Sequence, residues 1–150
     1  MKLKSEDSSI VIGLHRMVSD MDRETRQICS GFGLTLGQFA VLEALRTKGP
    51  LTVGQVKALV LSSDGTIPVI AGNLEKQGYI VREQDSCDRR KYILSLTDRG
   101  RELIDRVCPE NNRRLTELLS PLSAEDKKEL RSAIGKYRAH RKKNGEKENT

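Results

Sequence analysis

The sequence has little of several residue types on which whole classes of site depend. It contains no tryptophan, only three tyrosines and two phenylalanines, and two histidines, one of which, His140, lies in a charged C-terminal stretch. The three cysteines, Cys29, Cys87 and Cys108, are odd in number and lack metal-type spacing, so we expect neither a disulfide framework nor a metal site. Because a glycine-rich phosphate loop and a credible Ser-His-Asp set are also missing, we expect no enzyme and no cofactor.

Long hydrophobic runs are missing as well. No apolar stretch is long enough to cross a membrane, and residues 10–14 are too short and too poorly flanked for a secretory signal, so the expected location is cytoplasmic. The chain is instead rich in charge, with 27 Lys and Arg against 21 Asp and Glu, a net charge of +6. This balance favours a polyanionic partner, although by itself it predicts only non-specific attraction.

The 150 residues are expected to form a single domain, residues 1–150, with one core. Apolar residues at helical spacing predict a long helix over residues 9–30 and further helices over 98–138. Pro109 is expected to kink the first of these later helices or to break it in two. Residues 139–150 are polar and charged, and we expect them to be disordered.

Two short helices are predicted between these long ones, because two capping boxes mark their starts: Thr35 with Gln38, and Thr52 with Gln55. A turn rich in Ser, Asp and Gly follows, and then another helix from about Thr66 to residue 77. Its apolar face has spacing i, i+3, i+4 and i+7, and consists of Ile67, Ile70, Ala71 and Leu74. The outward face is slim and nearly uncharged, and consists of Gly65, Val69, Gly72 and Lys76, flanked by Thr66, Pro68 and Asn73.

Residues 79–97 change to a period of two, which predicts a β-hairpin. Three consecutive cations, Arg89, Arg90 and Lys91, lie near its tip. A slim helix beside a basic hairpin suits a nucleic-acid duplex, since the helix fits the major groove and the hairpin reaches the backbone or the minor groove. An ordinary core helix and an ordinary solvated turn would give the same spacing, and the pattern alone does not decide between them.

Three segments together resemble the MarR family of winged-helix transcriptional regulators: residues 34–42, residues 73–82, and residues 88–90 running into 94–101. The most specific part is the Asp-x-Arg of Asp88 to Arg90 followed by the Leu-Thr-x-x-Gly of Leu96 to Gly100. The resemblance implies a mainly α fold with a small β-hairpin wing, a winged helix-turn-helix that dimerises through its N- and C-terminal helices. The DNA-binding lobe would be residues 34–97, with the helix-turn-helix at about 52–77 and the wing at 79–97; residues 9–30 and 98–138 would form the dimerisation helices.

The resemblance also implies roles for particular residues. Arg90 would enter a minor groove, oriented by Asp88 through a charge-assisted hydrogen bond, and Arg89 and Lys91 would contact phosphates. An ion pair that only stiffens the wing is the alternative for Asp88 and Arg90. Family members often carry arginine on the outward face of the recognition helix, whereas this chain does not, so we expect an A·T-rich pseudo-palindromic operator. The residues expected to contact double-stranded DNA are Ser63, Thr66, Pro68, Val69, Asn73, Lys76, Asp88, Arg89, Arg90 and Lys91.

The expected function is therefore a sequence-specific DNA-binding regulator, a repressor released by a small effector. The resemblance implies an aromatic or phenolic effector bound between the dimer helices and the DNA-binding lobe. One alternative is a thiol-based redox-sensing regulator acting through Cys87, where neighbouring cations favour the thiolate. Another is a winged-helix protein-interaction module without DNA binding, which would show little salt dependence.

Overall fold

The computed structural model describes residues 5–60 and 67–145. Residues up to 115 form one compact unit, and those from 116 onward form a second. Within the described residues the order of elements is α1 (Ser5–Gly31), α2 (Leu36–Lys48), β1 (Leu51–Thr52), α3 (Val53–Leu59), α4 (Ile67–Lys76), β2 (Ile80–Gln84), β3 (Tyr92–Leu96), α5 (Asp98–Leu118) and α6 (Ala124–Gly145). The mainly helical fold with a small hairpin is thus the one expected from the sequence.

The core of the first unit is built from the apolar stripes of the sequence. Its largest fully buried side chains come from α2, α4, both hairpin strands and α5: Leu42, Leu45, Leu74, Ile80, Leu94 and Ile104. Each such side chain stabilises the fold by about 1.5–3 kcal/mol relative to its exposed state. The hairpin and the helix before it are therefore anchored from one side, and their opposite sides remain available to solvent.

Both predicted capping boxes are present. The backbone N–H of Gln38 donates to Thr35 Oγ1 at 3.1 Å, and the backbone N–H of Thr35 donates to Gln38 Oε1 at 3.0 Å. Thr52 and Gln55 repeat the arrangement at 3.2 Å and 2.9 Å. A cap of this kind is worth about 1 kcal/mol, and the two caps fix where α2 and α3 begin.

The sheet has three antiparallel strands in the order β1-β3-β2. Ile80 lies opposite Leu96 at the base of the hairpin, and Gln84 lies opposite Tyr92 near its tip. The strand β1 was not predicted. It has two residues, with Leu51 paired to Leu94, and a period of two cannot be recognised in so short a segment.

Three boundaries differ from the expectation. Helix α1 includes residues 5–8, before the predicted start at residue 9, and Glu6 and Asp7 in its first turn interact favourably with the helix dipole. Helix α5 continues as one helix past Pro109, so the predicted break is wrong; the flanking Cys108 and Asn111 are buried, and that packing holds the helix together. Of the predicted disordered tail, residues 139–145 are helical and continue α6, and residues 146–150 lie outside the described residues. Helix α6 follows the Ser123–Asp126 capping box, and no proline interrupts it before it ends at Gly145.

No single helix within residues 5–60 and 67–145 is both long enough and apolar enough to cross a membrane. Helices α1 and α2, bent by 88° at the break between them, meet the length and composition criteria only when taken as a pair.

Candidate nucleic-acid interface

Helix α4 presents two different faces, as predicted. Ile67, Ala71 and Leu74 are buried against the core, and Ile70 is half-buried. The opposite side chains are exposed, and they are those of Pro68, Val69, Asn73 and Lys76. Val69 is 57% exposed, a large value for an apolar side chain on a helix anchored from its other side. Pro68 lies in the first turn of α4. A backbone N–H at this position has no partner within the helix, so proline loses no hydrogen bond there.

The end of α4 and the start of the hairpin are joined by a tight reversal. Gly78 has φ of +75°, which a side chain would strain, and the Tyr79 N–H donates to the Leu74 carbonyl at 2.9 Å. The Thr97 hydroxyl donates to the Gly78 carbonyl at 2.7 Å and accepts from the Gly100 N–H at 3.0 Å. One threonine therefore caps α5 and at the same time ties the base of the hairpin to the end of α4.

Gly100 is required at this junction. A Cβ on Gly100 would lie 2.9 Å from the carbonyl carbon of Tyr79 and would overlap its oxygen. Because these are backbone atoms, a side-chain rotation cannot relieve the overlap. The Leu-Thr-x-x-Gly pattern thus has a physical cause, since Thr97 makes the connection and Gly100 allows the close approach.

The tip of the hairpin is organised by its own hydrogen bonds. The Asp85 N–H donates to the Lys91 carbonyl at 2.9 Å, and the Cys87 N–H donates to Asp85 Oδ1 at 2.8 Å. The Gln84 amide donates to the Arg89 carbonyl at 2.5 Å. The tip is therefore a defined turn, and its hydrogen bonds fix the backbone that carries the three cations.

Asp88 orients Arg90 within that turn. Its Oδ1 accepts from the Arg90 backbone N–H at 3.1 Å and from the Arg90 Nε at 3.3 Å, and its Oδ2 lies 3.7 Å from the Lys91 Nζ. The Arg90 side chain is 92% exposed, so its contact through Nε leaves the terminal nitrogens accessible. The backbone and side-chain hydrogen bonds from Arg90 hold the pKa of Asp88 below its ordinary value, so the carboxylate is charged at neutral pH.

Two aromatic contacts of the hairpin were not predicted. The Arg82 guanidinium lies 4.6 Å from the centre of the Tyr92 ring, and that of Arg99 lies 4.9 Å from the Tyr79 ring. Arg82 and Tyr92 are diagonal neighbours on one face of the β2–β3 pair, a relation that only the register reveals. Each cation–π contact orders a positively charged side chain, one at the hairpin and one at the start of α5.

The three cysteines have different surroundings. Cys29 and Cys108 are buried, and burial raises the pKa of Cys29 to about 11 and also raises that of Cys108, so both thiols stay protonated. Cys87 is exposed at the hairpin tip, as expected from its position. No three His, Cys, Asp or Glu side chains come together as a metal site within residues 5–60 and 67–141.

Ser63 and Thr66, two of the predicted DNA contacts, lie outside the described residues. The other eight divide between the exposed face of α4 and the hairpin tip, two elements joined through Gly78 and Thr97.

A cleft of about 1540 Å³ opens in the first unit between α1, α2 and α5. Its apolar lining includes Leu34, Phe39 and Leu115, and Ile70 reaches it from the inner face of α4. Asn111, also in the lining, is 3% exposed, and its Oδ1 has no hydrogen-bond partner among the described residues. The cleft therefore borders the helix whose outer face is the candidate DNA surface.

Comparison with known proteins decides the family. Residues 32–91 match the family model described as the MarR family. The uncharacterized HTH-type transcriptional regulator YkoM of Bacillus subtilis is 36% identical over 110 residues, which cover 73% of this chain and 70% of YkoM. The chain belongs to the MarR family.

Solved structures of MarR-family regulators share its fold. A cysteine-to-serine mutant of MarR from E. coli, complexed with operator DNA, has a TM-score of 0.78 at 22% identity, and the match covers 91% of this chain and 99% of that one. NadR, in complex with 4-hydroxyphenylacetate, has a TM-score of 0.76 at 25% identity, and the match covers 91% of this chain and 97% of NadR. This MarR-family chain is thus a transcriptional regulator with a DNA-binding winged helix-turn-helix, and the proteins that it matches are regulators and not enzymes.

Proposed function

We propose that this MarR-family chain acts as a homodimeric repressor in the cytoplasm, binding an A·T-rich pseudo-palindromic operator until a small effector releases it. The single observation that carries the DNA-binding part is Arg90, which is 92% exposed at the hairpin tip and oriented by Asp88. A wing-stiffening ion pair would have no need for so exposed a guanidinium.

In this proposal α4 is the recognition helix, and the hairpin is the wing. Asn73 accepts and donates hydrogen bonds at an adenine edge, Val69 contacts a thymine methyl, and the half-buried Gly72 permits close backbone approach. Arg90 enters an A·T-rich minor groove, whose narrowness concentrates negative potential, and Arg89 and Lys91 contact phosphates. Lys76, Pro68, Ser63 and Thr66 complete the proposed surface.

Binding-site selection on random duplexes tests this readout. We expect the selected sites to share an A·T-rich core, because the exposed face of α4 carries no arginine for bidentate contact with guanine. A core dominated by G·C pairs would contradict the assignment.

The dimer is supported by apolar side chains left exposed on the terminal helices. On α1 these are Ile10, Val11, Ile12, Leu14 and Val18, each between 40% and 59% exposed. On α6, Ile134 is 47% and Tyr137 65% exposed. Apolar surface of this extent on a regulator indicates a protein interface, and we propose a second copy as the partner. Two wings would then reach half-sites about 34–36 Å apart.

The effector part of the proposal is supported by the cleft. NadR, which is 25% identical, was solved in complex with 4-hydroxyphenylacetate, and the cleft here has room and apolar walls for an aromatic molecule of that size. A ligand placed between α1, α2 and Ile70 would press on the inner face of α4. It would shift α4 and with it the side chains on the outer face that contact DNA. Release of operator DNA on adding the molecule, followed by fluorescence anisotropy, is the expected behaviour.

A second candidate function is redox control through Cys87. This thiol is exposed at the tip that also holds Arg90, whereas Cys29 and Cys108 are buried. Oxidation there would disturb the turn, so peroxide would weaken operator binding, and Cys87→Ser would abolish that response. Operator affinity that is unchanged by peroxide would exclude this function.

A protein-interaction module remains the rival to DNA binding, and salt separates the two. A dimer neutralising several phosphates should lose roughly 10³–10⁵ in affinity between low and moderate salt. Duplex binding that is weak and insensitive to salt would favour the rival.

A further inference from the structure

The cleft contains one polar group that the fold does not use. Asn111 lies on the side of α5 that packs into the first unit, and it is 3% exposed. Among residues 5–60 and 67–141, whose side chains the structure describes, its Oδ1 is the one fully buried side-chain oxygen or nitrogen without a hydrogen-bond partner. Buried polar atoms in native proteins are almost always paired. An unpaired one loses its hydrogen bonds to water and gains none from the protein.

Asn111 also belongs to the lining of the cleft. A hydrogen-bond donor bound against this part of the wall can therefore approach its side-chain amide. A molecule in the cleft that donates a hydrogen bond would therefore remove an existing penalty and would not need to displace a protein contact.

The rest of the lining specifies the body of that molecule. Leu34, Phe39, Ile70 and Leu115 provide apolar walls. Charged residues of both signs also line the cleft, so the charge of a ligand selects only weakly. They are Arg23, Arg26 and Lys48, and Asp22 and Glu43. Selection must then depend on apolar surface together with a hydrogen-bond donor.

We propose that Asn111 Oδ1 is the acceptor that selects the effector, and that the effector class is a small molecule with an apolar body and a hydroxyl or N–H donor. This inference rests on the proposed effector-controlled DNA binding and adds the chemistry that the cleft recognises. A carboxamide oxygen accepts equally from a phenol, an alcohol or an amide, whereas an ether or an ester has nothing to donate to it.

The test uses pairs of probes that differ only in the donor: phenol and anisole, 2-naphthol and 2-methoxynaphthalene, 4-hydroxyphenylacetate and 4-methoxyphenylacetate. Isothermal titration on the full chain measures affinity, and anisotropy measures release of operator DNA. For at least one pair we expect the hydroxyl compound to bind about tenfold or more tightly than its ether and to release DNA at correspondingly lower concentration. If no pair shows that preference, the inference is wrong.

Asn111→Leu then assigns the preference to the residue. Leucine has the same number of side-chain heavy atoms but no acceptor, so hydroxyl and ether should bind this variant with equal affinity. Asn111→Ala, which cannot overfill the site, should behave in the same way. Asn112→Leu is the matched control, because Asn112 is an exposed neighbour in the same lining, and it should keep the preference.

Two measurements without probe separate this inference from the proposed function. Asn111→Leu should bind operator as the wild type does, and its melting temperature should stay the same or rise, because an unpaired polar atom has been removed. A fall of several degrees in both Asn111→Leu and Asn111→Ala would show that the amide is held by water or by a second copy, and would overturn the inference. Wild-type protein that fails to bind operator would instead refute the proposed function itself.

Discussion

At the scale of single residues, Arg90 is held at one nitrogen and exposed at the others. Its Nε is bonded to Asp88, so the direction of the side chain is set before any DNA arrives, and little rotamer entropy is lost on binding. Arg90→Ala should therefore weaken operator binding by about 10- to 100-fold in an anisotropy titration. Arg131→Ala, which removes an equal charge from exposed α6, should change affinity by less than about twofold.

Asp88 gives a pH prediction at the same scale. Hydrogen bonds from the Arg90 N–H and side chain favour its charged form, so its folded pKa lies below the ordinary value of 3.8. The charged Asp88 carboxylate therefore stabilises the folded chain. This stabilisation is fully present above pH 3.8, the ordinary pKa, and is lost as the pH falls through the lower pKa of the folded state. An NMR titration of Asp88 should show this lower midpoint, and Arg90→Ala should shift it upward. The backbone N–H of residue 90, which is the larger cause of the lowered pKa, remains in this variant. An unchanged midpoint would therefore show that the Arg90 side chain does not contribute to holding the carboxylate.

The sequence contained most of this information at the residue scale, though not all of it. Asp88 and Arg90 lie two apart in one turn, so their contact depends on local geometry that a motif can encode. Asn111 is different: on the sequence it is one position of an apolar stripe, and its unpaired oxygen results from its burial in the folded chain. A buried but unpaired group is a property of tertiary structure, and no local pattern predicts it.

At the scale of elements, the junction between α4, the hairpin and α5 is the least tolerant part of the fold. Gly100→Ala would force a methyl group into the Tyr79 carbonyl and should destabilise the protein by about 3 kcal/mol or more in chemical denaturation. Gly54→Ala is the matched control, since the new Cβ would make only an ordinary 3.9 Å contact with Thr52 Oγ1. That variant should be unchanged or more stable by about 0.5–1 kcal/mol. Equal effects of the two substitutions would contradict the packing described at Gly100.

Elements with strong local signals were predicted well. The capping boxes of α2 and α3 and the alternation of β3 are local, and each appears where the sequence placed it. Strand β1 depends on pairing with β3, and the continuity of α5 past Pro109 depends on burial on both sides of the proline. Long-range packing decided both cases, and the sequence pattern carried no signal for them.

At the scale of the whole molecule, the exposed apolar face of α1 predicts the oligomeric state. Leu14→Glu would place a charge among Ile10, Val11 and Val18, so it should shift the protein from dimer toward monomer in sedimentation velocity. Ala58→Glu, at an exposed position of α3, should leave the dimer intact. A wild-type protein that sediments as a monomer would remove the proposed dimer.

The central claim is that two copies of this chain hold one duplex through their recognition helices and wings. The most direct measurement is the mass of the protein–operator complex by sedimentation equilibrium, repeated on a duplex whose half-sites are shifted by half a helical turn. We expect two chains on each operator duplex, and at least a tenfold loss of affinity on the shifted duplex because the half-site spacing no longer matches the dimer. One chain per duplex, or equal affinity for both duplexes, would contradict the account.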